Sequence, residues 1–408
     1  MVKIFDEAAI RFWIQQSIGT ENFTFVIENT TQKGEGYIGE ILFITVDLQE
    51  PNNGKCILYL VIKTNKNYGP DKNFPIVHEF CKREVFFYSK ILKAFQEFQN
   101  KKNVRVPFDM IPKCYKTFLD DENQVIILQN LKKNSYALHP REKPLNIAHL
   151  KMGLRSYAKL HALSFALNDQ KKDIFEKISK NCFSLFKDIM QNFRTLFDTK
   201  TPTLVEKLKE AGRPDLSIVY QKFMNEKSIF NRFMEILNTT SKDQVIIHAD
   251  CHNANMLFQY KDNDTTTPLH MVLIDFQAAG LHSPIIDLSY FLYINLSSSD
   301  FPNLKDFVEY YYTELRLFLK ELGSDADKLF PRSTLEQHLK TYLPSGFLLT
   351  LTFLELFYLE NDETPTLIDE ESNEFLGSFI KDVKIKSRGQ YLNRLVALVN
   401  SFFGDPYL

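Results

Sequence analysis

Hydrophobic positions along the chain change their period several times. Between residues 6 and 18 they recur at helical spacing, with Ile10, Trp13, Ile14 and Ile18 on one face and Asp6 placed to cap the first turn. From Tyr37 to Leu48, and again from Ile57 to Lys63, β-branched and aromatic residues dominate. The turn-like PNNGK lies between these runs, which predicts two strands joined as a hairpin. A helix is predicted from about Glu79 to Phe95, with Phe87, Tyr88, Ile91, Leu92 and Phe95 as its apolar stripe. Glu84 lies at the top of that stripe and is expected to point inward. Two further strands are expected at Met110–Thr117 and Val125–Leu128, separated by the turn-like DDENQ.

From Gln129 to about Leu145 the chain is polar and irregular. Helical spacing then takes over: Leu150, Leu154, Tyr157, Ala158 and His161 share one face of a segment from Ile147 to Leu167, and several helices are expected between residues 170 and 240. A β-rich island interrupts them. It consists of a short strand at Val245–Ile247 and a hairpin formed by Met256–Tyr260 and Met271–Ile274 around the loop KDNDTTTP. From about Ser283 onward the pattern is helical again. This order predicts an α+β chain in two lobes. Residues 1–128 form a β-rich lobe with one inward-facing helix, and residues 129–408 form a mainly helical lobe with a small embedded hairpin. The hinge falls near 128–134, and a ligand cleft is expected beside it.

Composition changes this picture little. With 44% hydrophobic and 25% charged residues, the 408-residue chain has the make-up of a folded globular protein rather than a disordered one. The formal charge of −2 supplies no global field for nucleic acid or an anionic membrane, so neither is expected as a partner, and any phosphate site must be built locally. Five scattered cysteines without a CxxC pair suggest reduced thiols in a cytoplasmic setting. The opening MVKIFDEAAIRFW lacks the apolar run of a signal peptide. The apolar stretch Phe347–Leu359 contains Glu355 and is too short to span a bilayer, so it is read as a buried helix.

The strongest chemical signal is His248-Ala249-Asp250-Cys251-His252-Asn253-Ala254-Asn255, an H-x-D-x-x-x-x-N pattern between two strands, followed by Ile274-Asp275-Phe276-Gln277 at the end of the hairpin. Phosphoryl transfer needs this set: a carboxylate to orient an acceptor hydroxyl, and oxygen ligands to hold Mg²⁺ against the phosphates. Asp250 is the candidate for the first role, Asn255 and Asp275 for the second. The bland alternative is a capped turn in which Asp250 and Asn253 bond local backbone. Lys63 ends an apolar strand and taken alone would be a solvated strand end. An inward Glu84 without a partner would be costly, and a Lys63–Glu84 pair resolves both. Gly34 and Gly36, with Gly39, suit either a phosphate-covering loop or a plain turn leading into a strand. A competing reading has His248, Asp250 and His252 alternate on an extended strand as zinc ligands of a hydrolase. His161 reads as a core histidine, and Asp287 as either a helix-start residue or a brace for the 248–255 loop.

These residues resemble the ecdysteroid-kinase-like family, also called CHK-kinase-like, distant relatives of choline and aminoglycoside kinases. The stretches that carry the resemblance are YLVIKTN around Lys63, KREVFFYSKIL around Glu84, VIILQNL at the hinge, YAKLHALSFAL, IIHADCHNANMLF and LIDFQAAGLHSPIIDLSYFLY. The resemblance implies a bilobal protein-kinase-like fold in a monomer. It also implies ATP with Mg²⁺ as cofactors, and phosphorylation of a small hydroxylated molecule such as an ecdysteroid or a xenobiotic, in the setting of insect detoxification. Carried over residue by residue, Asp250 would be the catalytic base, Asn255 and Asp275 the metal ligands, Lys63 the phosphate-binding lysine and Glu84 its partner. Gly34, Gly36, Gln129 and Leu131 would lie around the nucleotide. Two positions depart from the family pattern. Ala249 stands in place of the usual glycine, which bears on acceptor access, and Gln129 stands where an acidic hinge residue is common. A kinase-fold protein that binds ligand without turnover is the other reading of the same motifs.

Overall fold

The computed structural model describes residues 6–30, 39–49, 55–65, 75–120, 124–180, 182, 189–261, 264–359, 376–379 and 385–404. The chain opens with helix α1 (Glu7–Ile18), where the Asp6 carboxylate accepts from the Ala8 N–H at 3.0 Å and Gly19 ends the helix at φ 75°. A five-stranded antiparallel sheet follows, in the order β1-β2-β3-β5-β4. Its strands are β1 (Phe23–Thr30), β2 (Gly39–Gln49), β3 (Lys55–Asn65), β4 (Cys114–Leu119) and β5 (Gln124–Gln129). The expected hairpin is the β2/β3 pair, in register from Gly39↔Asn65 to Gln49↔Lys55. Residues 51–54 of the PNNGK turn lie outside the described residues, as do Gly34 and Gly36.

Strand alternation gives this sheet two distinct faces. Leu42, Ile44 and Val46 of β2, Leu60 and Ile62 of β3 and Val125 and Ile127 of β5 are buried together beneath Ile10, Trp13 and Ile14 of α1. Their neighbours in sequence must then face the other way. Lys63, paired with Ile41 on one side and Ile126 on the other, is therefore aimed away from α1 and toward the rest of the molecule. The edge strand β1 is an addition to the sequence reading. Val26 and Ile27 are exposed and the register shifts between Ile27 and Asn29, so Phe23–Thr30 lacks the clean alternation of a half-buried strand.

The expected Glu79–Phe95 helix starts earlier and is not uniform. Helix α2 (Pro75–Phe86) runs into a π turn at Phe87–Ile91 and continues as α3 (Leu92–Gln99). The predicted Met110–Thr117 strand is corrected to Cys114–Leu119; Met110 is buried, and its carbonyl accepts from the Leu273 N–H at 2.9 Å. Its apolar character came from that packing, not from a strand. The sheet ends at Gln129, where Asn130 caps a single turn at Leu131–Asn134.

The helical lobe is built on α4 (Ile147–Gln170), capped by Asn146, whose inward face is buried along most of its length. Around it lie α5 (Lys172–Ser179), α6 (Arg194–Glu210), α7 (Pro214–Glu226), α8 (Ile229–Asn238), α9 (Pro284–Asn295), α10 (Leu304–Glu321), α11 (Ala326–Leu329), α12 (Arg332–Phe353) and α13 (Arg388–Gly404). A strand β6 (Tyr136–Leu138) joins β8 (Met256–Tyr260) and β9 (Pro268–Leu273) in a three-stranded sheet. Strand β7 (Val245–Ile247) pairs with β10 (Gly280–His282). β6 and β10 have only three residues each, too few for a period-two pattern to show. The arrangement is a bilobal α+β fold. The apolar Phe347–Leu359 stretch is the buried end of α12 and a following turn, and among the described residues no helix is long and apolar enough to cross a membrane.

Two tight features hold the helical lobe. α9 and α12 touch backbone to backbone at Gly346. A Cβ there would stand 2.2 Å from the Ser289 carbonyl carbon and 2.5 Å from the Tyr290 nitrogen. His338 of α12 lies between two hydroxyls, Ser241 Oγ at 3.0 Å from Nε2 and Ser283 Oγ at 2.8 Å from Nδ1, with Asp243 4.0 Å away. Burial, reinforced by the neighbouring His282, pushes its pKa down to about 4.

Gly346→Ala is expected to destabilise the protein by about 3 kcal/mol or more, because the obstacle is main chain and cannot rotate away; urea unfolding of the purified variant measures this. His338 is neutral when folded and has an ordinary pKa when unfolded. Its contribution is thus complete above pH 6.5 and is lost as pH falls toward 4. A loss on the order of 2 kcal/mol is expected across that window, and His338→Gln should flatten this part of the pH–stability curve.

Candidate active site

The buried carboxylate of Glu84 and the ammonium of Lys63 meet where the sheet faces α2. Lys63 Nζ is 2.6 Å from Glu84 Oε2 and 2.5 Å from Asp275 Oδ1, so one cation is shared by two anions from separate elements. Asp275 follows β9 and sits in the left-handed region at φ 67°, which turns its carboxylate out of the strand direction toward Lys63. Burial works against the Lys63 charge, but Asp275 and Glu84 outweigh it and raise the pKa above the ordinary lysine range. Glu84 moves the opposite way from a normal salt-bridged acid. Burial and the nearby Asp275 raise its pKa to about 7, against the pull of Lys63.

The second half of the site is the loop from His248 to Asn255, between β7 and β8. Asp287, in the first turn of α9, clamps its start: Oδ2 accepts from the His248 N–H and Oδ1 from the Ala249 N–H, both at 2.7 Å. His161 of α4 holds the same carboxylate at 3.1 Å through Nε2, and its Nδ1 meets the Tyr311 hydroxyl at 2.7 Å. Of the two readings open for Asp287, the brace describes these contacts, and His161 is a satisfied core histidine that supports it. Ala249 adopts φ 66°. A glycine takes that conformation without strain, so the first consequence of alanine here is conformational.

His248 is enclosed. Its Nε2–H donates to the Ile274 carbonyl at 2.9 Å, and its Nδ1 accepts from the Asp250 N–H at 3.3 Å. Its ring lies 4.4 Å from that of Phe276, which stacks on Phe87 at 3.7 Å with 7° between planes. The π turn brings Tyr88 against the same Phe276 ring, edge-on at 6.3 Å. A column of rings thus runs from the loop into the helix that carries Glu84. With both ring nitrogens occupied, His248 has none left for zinc, which removes the His248/Asp250/His252 metal reading. Among the described residues, no group of three or more His, Cys, Asp and Glu side chains is arranged to hold a metal ion.

Asp250 is held by both of its oxygens. Asn255 Nδ2 donates to Oδ2 at 2.8 Å, and His252 Nε2 lies 3.2 Å from Oδ1. Burial opposes ionisation, but His252, His248 and the Asn255 N–H together keep the carboxyl below its usual range. Asn255 and Asp275 occupy adjoining strand ends: Met256 pairs with Leu273, and the Ile274 N–H donates to the Asn255 carbonyl at 3.1 Å. The structure therefore brings Lys63, Glu84, Asp275, Asn255 and Asp250 to one junction between the lobes.

Gln129 ends β5 and Leu131 follows it. Gln129 pairs with Leu60 on the Lys63 strand, and its N–H donates to the Lys113 carbonyl at 2.9 Å. Leu131 is buried, and the next residue, Lys132, places Nζ 4.4 Å above the Phe43 ring of β2. Two supports escaped the sequence reading. Asn253 Nδ2 donates to the carbonyls of Pro140, Arg141 and Lys143 at 3.2–3.3 Å, and Asn295 Nδ2 donates to that of Cys251 at 2.9 Å. Both tie the loop to distant chain, and no local spacing signals such a contact.

Ala249→Gly is expected to raise stability by about 0.5–1 kcal/mol, the relief of left-handed strain less the extra entropy of an unfolded glycine. Thermal unfolding of the two proteins under identical conditions gives the comparison.

The sequence model of the ecdysteroid kinase-like family matches residues 33–324 of this chain. No curated protein matches it. Among solved structures, the GDP complex of wild-type aminoglycoside 2'-phosphotransferase-IIIa is 14% identical, covering 84% of this chain and 98% of that one at a TM-score of 0.39. The GDP complex of a point mutant of the same enzyme is 13% identical, covering 86% and 90% at 0.42. A kinase domain is 12% identical, covering 89% and 85% at 0.27.

Proposed function

The chain belongs to the ecdysteroid kinase-like family, as a kinase-fold small-molecule phosphotransferase, and on that premise we propose that it moves the γ-phosphate of ATP, bound with Mg²⁺, onto a hydroxyl of a steroid-like or xenobiotic acceptor. The observation that carries the reading is the junction itself. One buried ammonium of the sheet lobe stands between Glu84 of its own inward helix and Asp275 of the helical lobe, and the strand end that carries Asp275 adjoins the loop end that carries Asn255, the partner of Asp250.

In this reading Asp250 receives the hydrogen bond of the acceptor hydroxyl and takes its proton as the oxygen attacks. Its lowered pKa keeps it ionised for that task. Lys63, kept charged by Glu84, offsets phosphate charge. Asn255 and Asp275 fit a hard cation. The amide nitrogen of Asn255 is committed to Asp250, which turns its oxygen to the remaining side, and Asp275 uses Oδ1 on Lys63 and keeps Oδ2. Magnesium bound there would supply neutralisation of phosphate charge. Gly34, Gly36, Gln129 and Leu131 are proposed around the nucleotide. The family description supports a steroid acceptor. A monomer working on a small molecule in the cytoplasm, in a detoxifying role in insects, is the setting proposed.

The test is a panel of ecdysteroids, plant glycosides and choline-like amines incubated with γ-labelled ATP, with products identified by mass spectrometry. Asp250→Asn is expected to cost several orders of magnitude in turnover with the fold intact, and Lys63→Met to weaken nucleotide binding. Near-normal transfer by Asp250→Asn would remove the proposed base. ATP binding with no transfer across the panel would favour a kinase-fold binding protein.

A further inference from the structure

An acceptor-orienting carboxylate does its work only if its plane is fixed, because a carboxyl free to swing presents its lone pairs to the acceptor for a small fraction of the time. Asp250 has one polar neighbour at each oxygen. Asn255 supplies one from its own loop. The other is His252, and its surroundings differ. Its ring sits edge-to-face against Phe357, with centroids 5.3 Å apart and planes at 72°. Its Nδ1 is enclosed without a hydrogen-bond partner, so its polar contact is made at Nε2, 3.2 Å from Asp250 Oδ1; the Asn255 amide nitrogen, 3.4 Å from the same atom, is a donor to Asp250 and not a partner of an Nε2–H.

Phe357 belongs to the helical turn Leu354–Tyr358 that follows α12, more than a hundred residues beyond the loop. That turn is itself anchored. Glu355, buried, accepts from Lys207 at 2.9 Å and lies 3.8 Å from Lys200, both on α6. A continuous line therefore runs from α6 through Glu355 and Phe357 to the His252 ring and the Asp250 carboxylate. The turn lies beyond residue 324, where the family match stops.

We propose that His252 is a positioning residue that aims the Asp250 carboxylate, and that Phe357 fixes the His252 ring from the 354–358 turn. This deepens the kinase reading and rests on it. The acceptor-side geometry of the base is set from two directions: the loop's own Asn255, and a C-terminal turn outside the loop. Lys63 does not lie on this line, whereas the proposed metal ligand Asn255 stands beside it, so disturbing it acts more strongly on turnover than on nucleotide affinity.

The experiment compares His252→Leu, His252→Gln, Phe357→Leu and Asp250→Asn. Turnover is measured with MgATP alone, water serving as acceptor, and with the first acceptor the panel identifies. His252→Leu is expected to lower kcat about a hundredfold, with a much smaller change in KM for ATP. His252→Gln places an amide N–H near the Nε2 position and should restore most of that loss, and Phe357→Leu should fall between them. The rescue by Gln, at equal folded stability of the Leu and Gln variants, is the result a merely structural histidine would not give. Wild-type kcat in His252→Leu beside an inactive Asp250→Asn would overturn the positioning role and spare the kinase reading. Equal loss in the Leu and Gln variants, tracking a loss of folded protein, would overturn it too. Absence of turnover in the wild type with every acceptor would remove both.

Discussion

A single ammonium group between two carboxylates organises this molecule. Removing Lys63 and Glu84 from water is expensive, and their mutual attraction repays that cost only with good geometry and further partners. Asp275 provides one, at 2.5 Å from Lys63. The three groups come from β3, from α2 and from the end of β9, so satisfying the charge brings the sheet lobe, its inward helix and the helical lobe to one point. The ring column of Phe87, Phe276 and His248 runs beside that point and gives it an apolar wall. Within the wall Glu84 feels a low dielectric, which is why its pKa rises to about 7 although a cation stands 2.6 Å away.

The loop that carries Asp250 depends on a different kind of constraint. Its backbone is bent at Ala249 into a conformation that costs an alanine about 1–2 kcal/mol. The surrounding bonds hold it there: Asp287 takes both N–H groups at the bend, Asn295 takes the Cys251 carbonyl, and Asn253 reaches three carbonyls of the 140–143 segment. Strain persists in a folded chain where enough independent contacts over-determine it. Here those contacts come from α9 and from the stretch after the hinge, so the aim of the loop reflects the packing of the whole helical lobe.

Much of this was legible in the amino-acid sequence, and the limits have a physical pattern. Long segments with one period were readable: the Asp6-capped helix, the β2/β3 hairpin and the long helix from Ile147. The inward aim of Glu84 followed from helical spacing, and the need to neutralise it pointed to Lys63. The second partner of Lys63 was not legible as such, because Asp275 lies 212 residues away and its place after the hairpin reads in sequence as that of a metal ligand. The three-residue strands β6 and β10 and the irregular edge strand were missed, whereas β7, equally short, stood out by its run of three apolar residues before the polar loop; β1 is largely exposed. The zinc reading failed because alternation on an extended strand was assumed where the backbone is bent at Ala249. Asn253, Asn295 and Phe357 act across the fold, where spacing along the chain is silent.

The distance in sequence between Lys63 and Asp275 also bears on the order in which the protein can be built. Every pairing of the five-stranded sheet is complete once residue 129 is available, and Glu84 is in hand by then. A nascent chain leaving the ribosome can therefore form the first lobe early. It does so with a half-satisfied lysine, and the missing anion emerges only when about half of the helical lobe has been synthesised. The junction of Lys63, Glu84 and Asp275 therefore cannot close until about two thirds of the polypeptide has been made. Until then the unfinished lobe presents its cleft face, Lys63 included, to water and to chaperones.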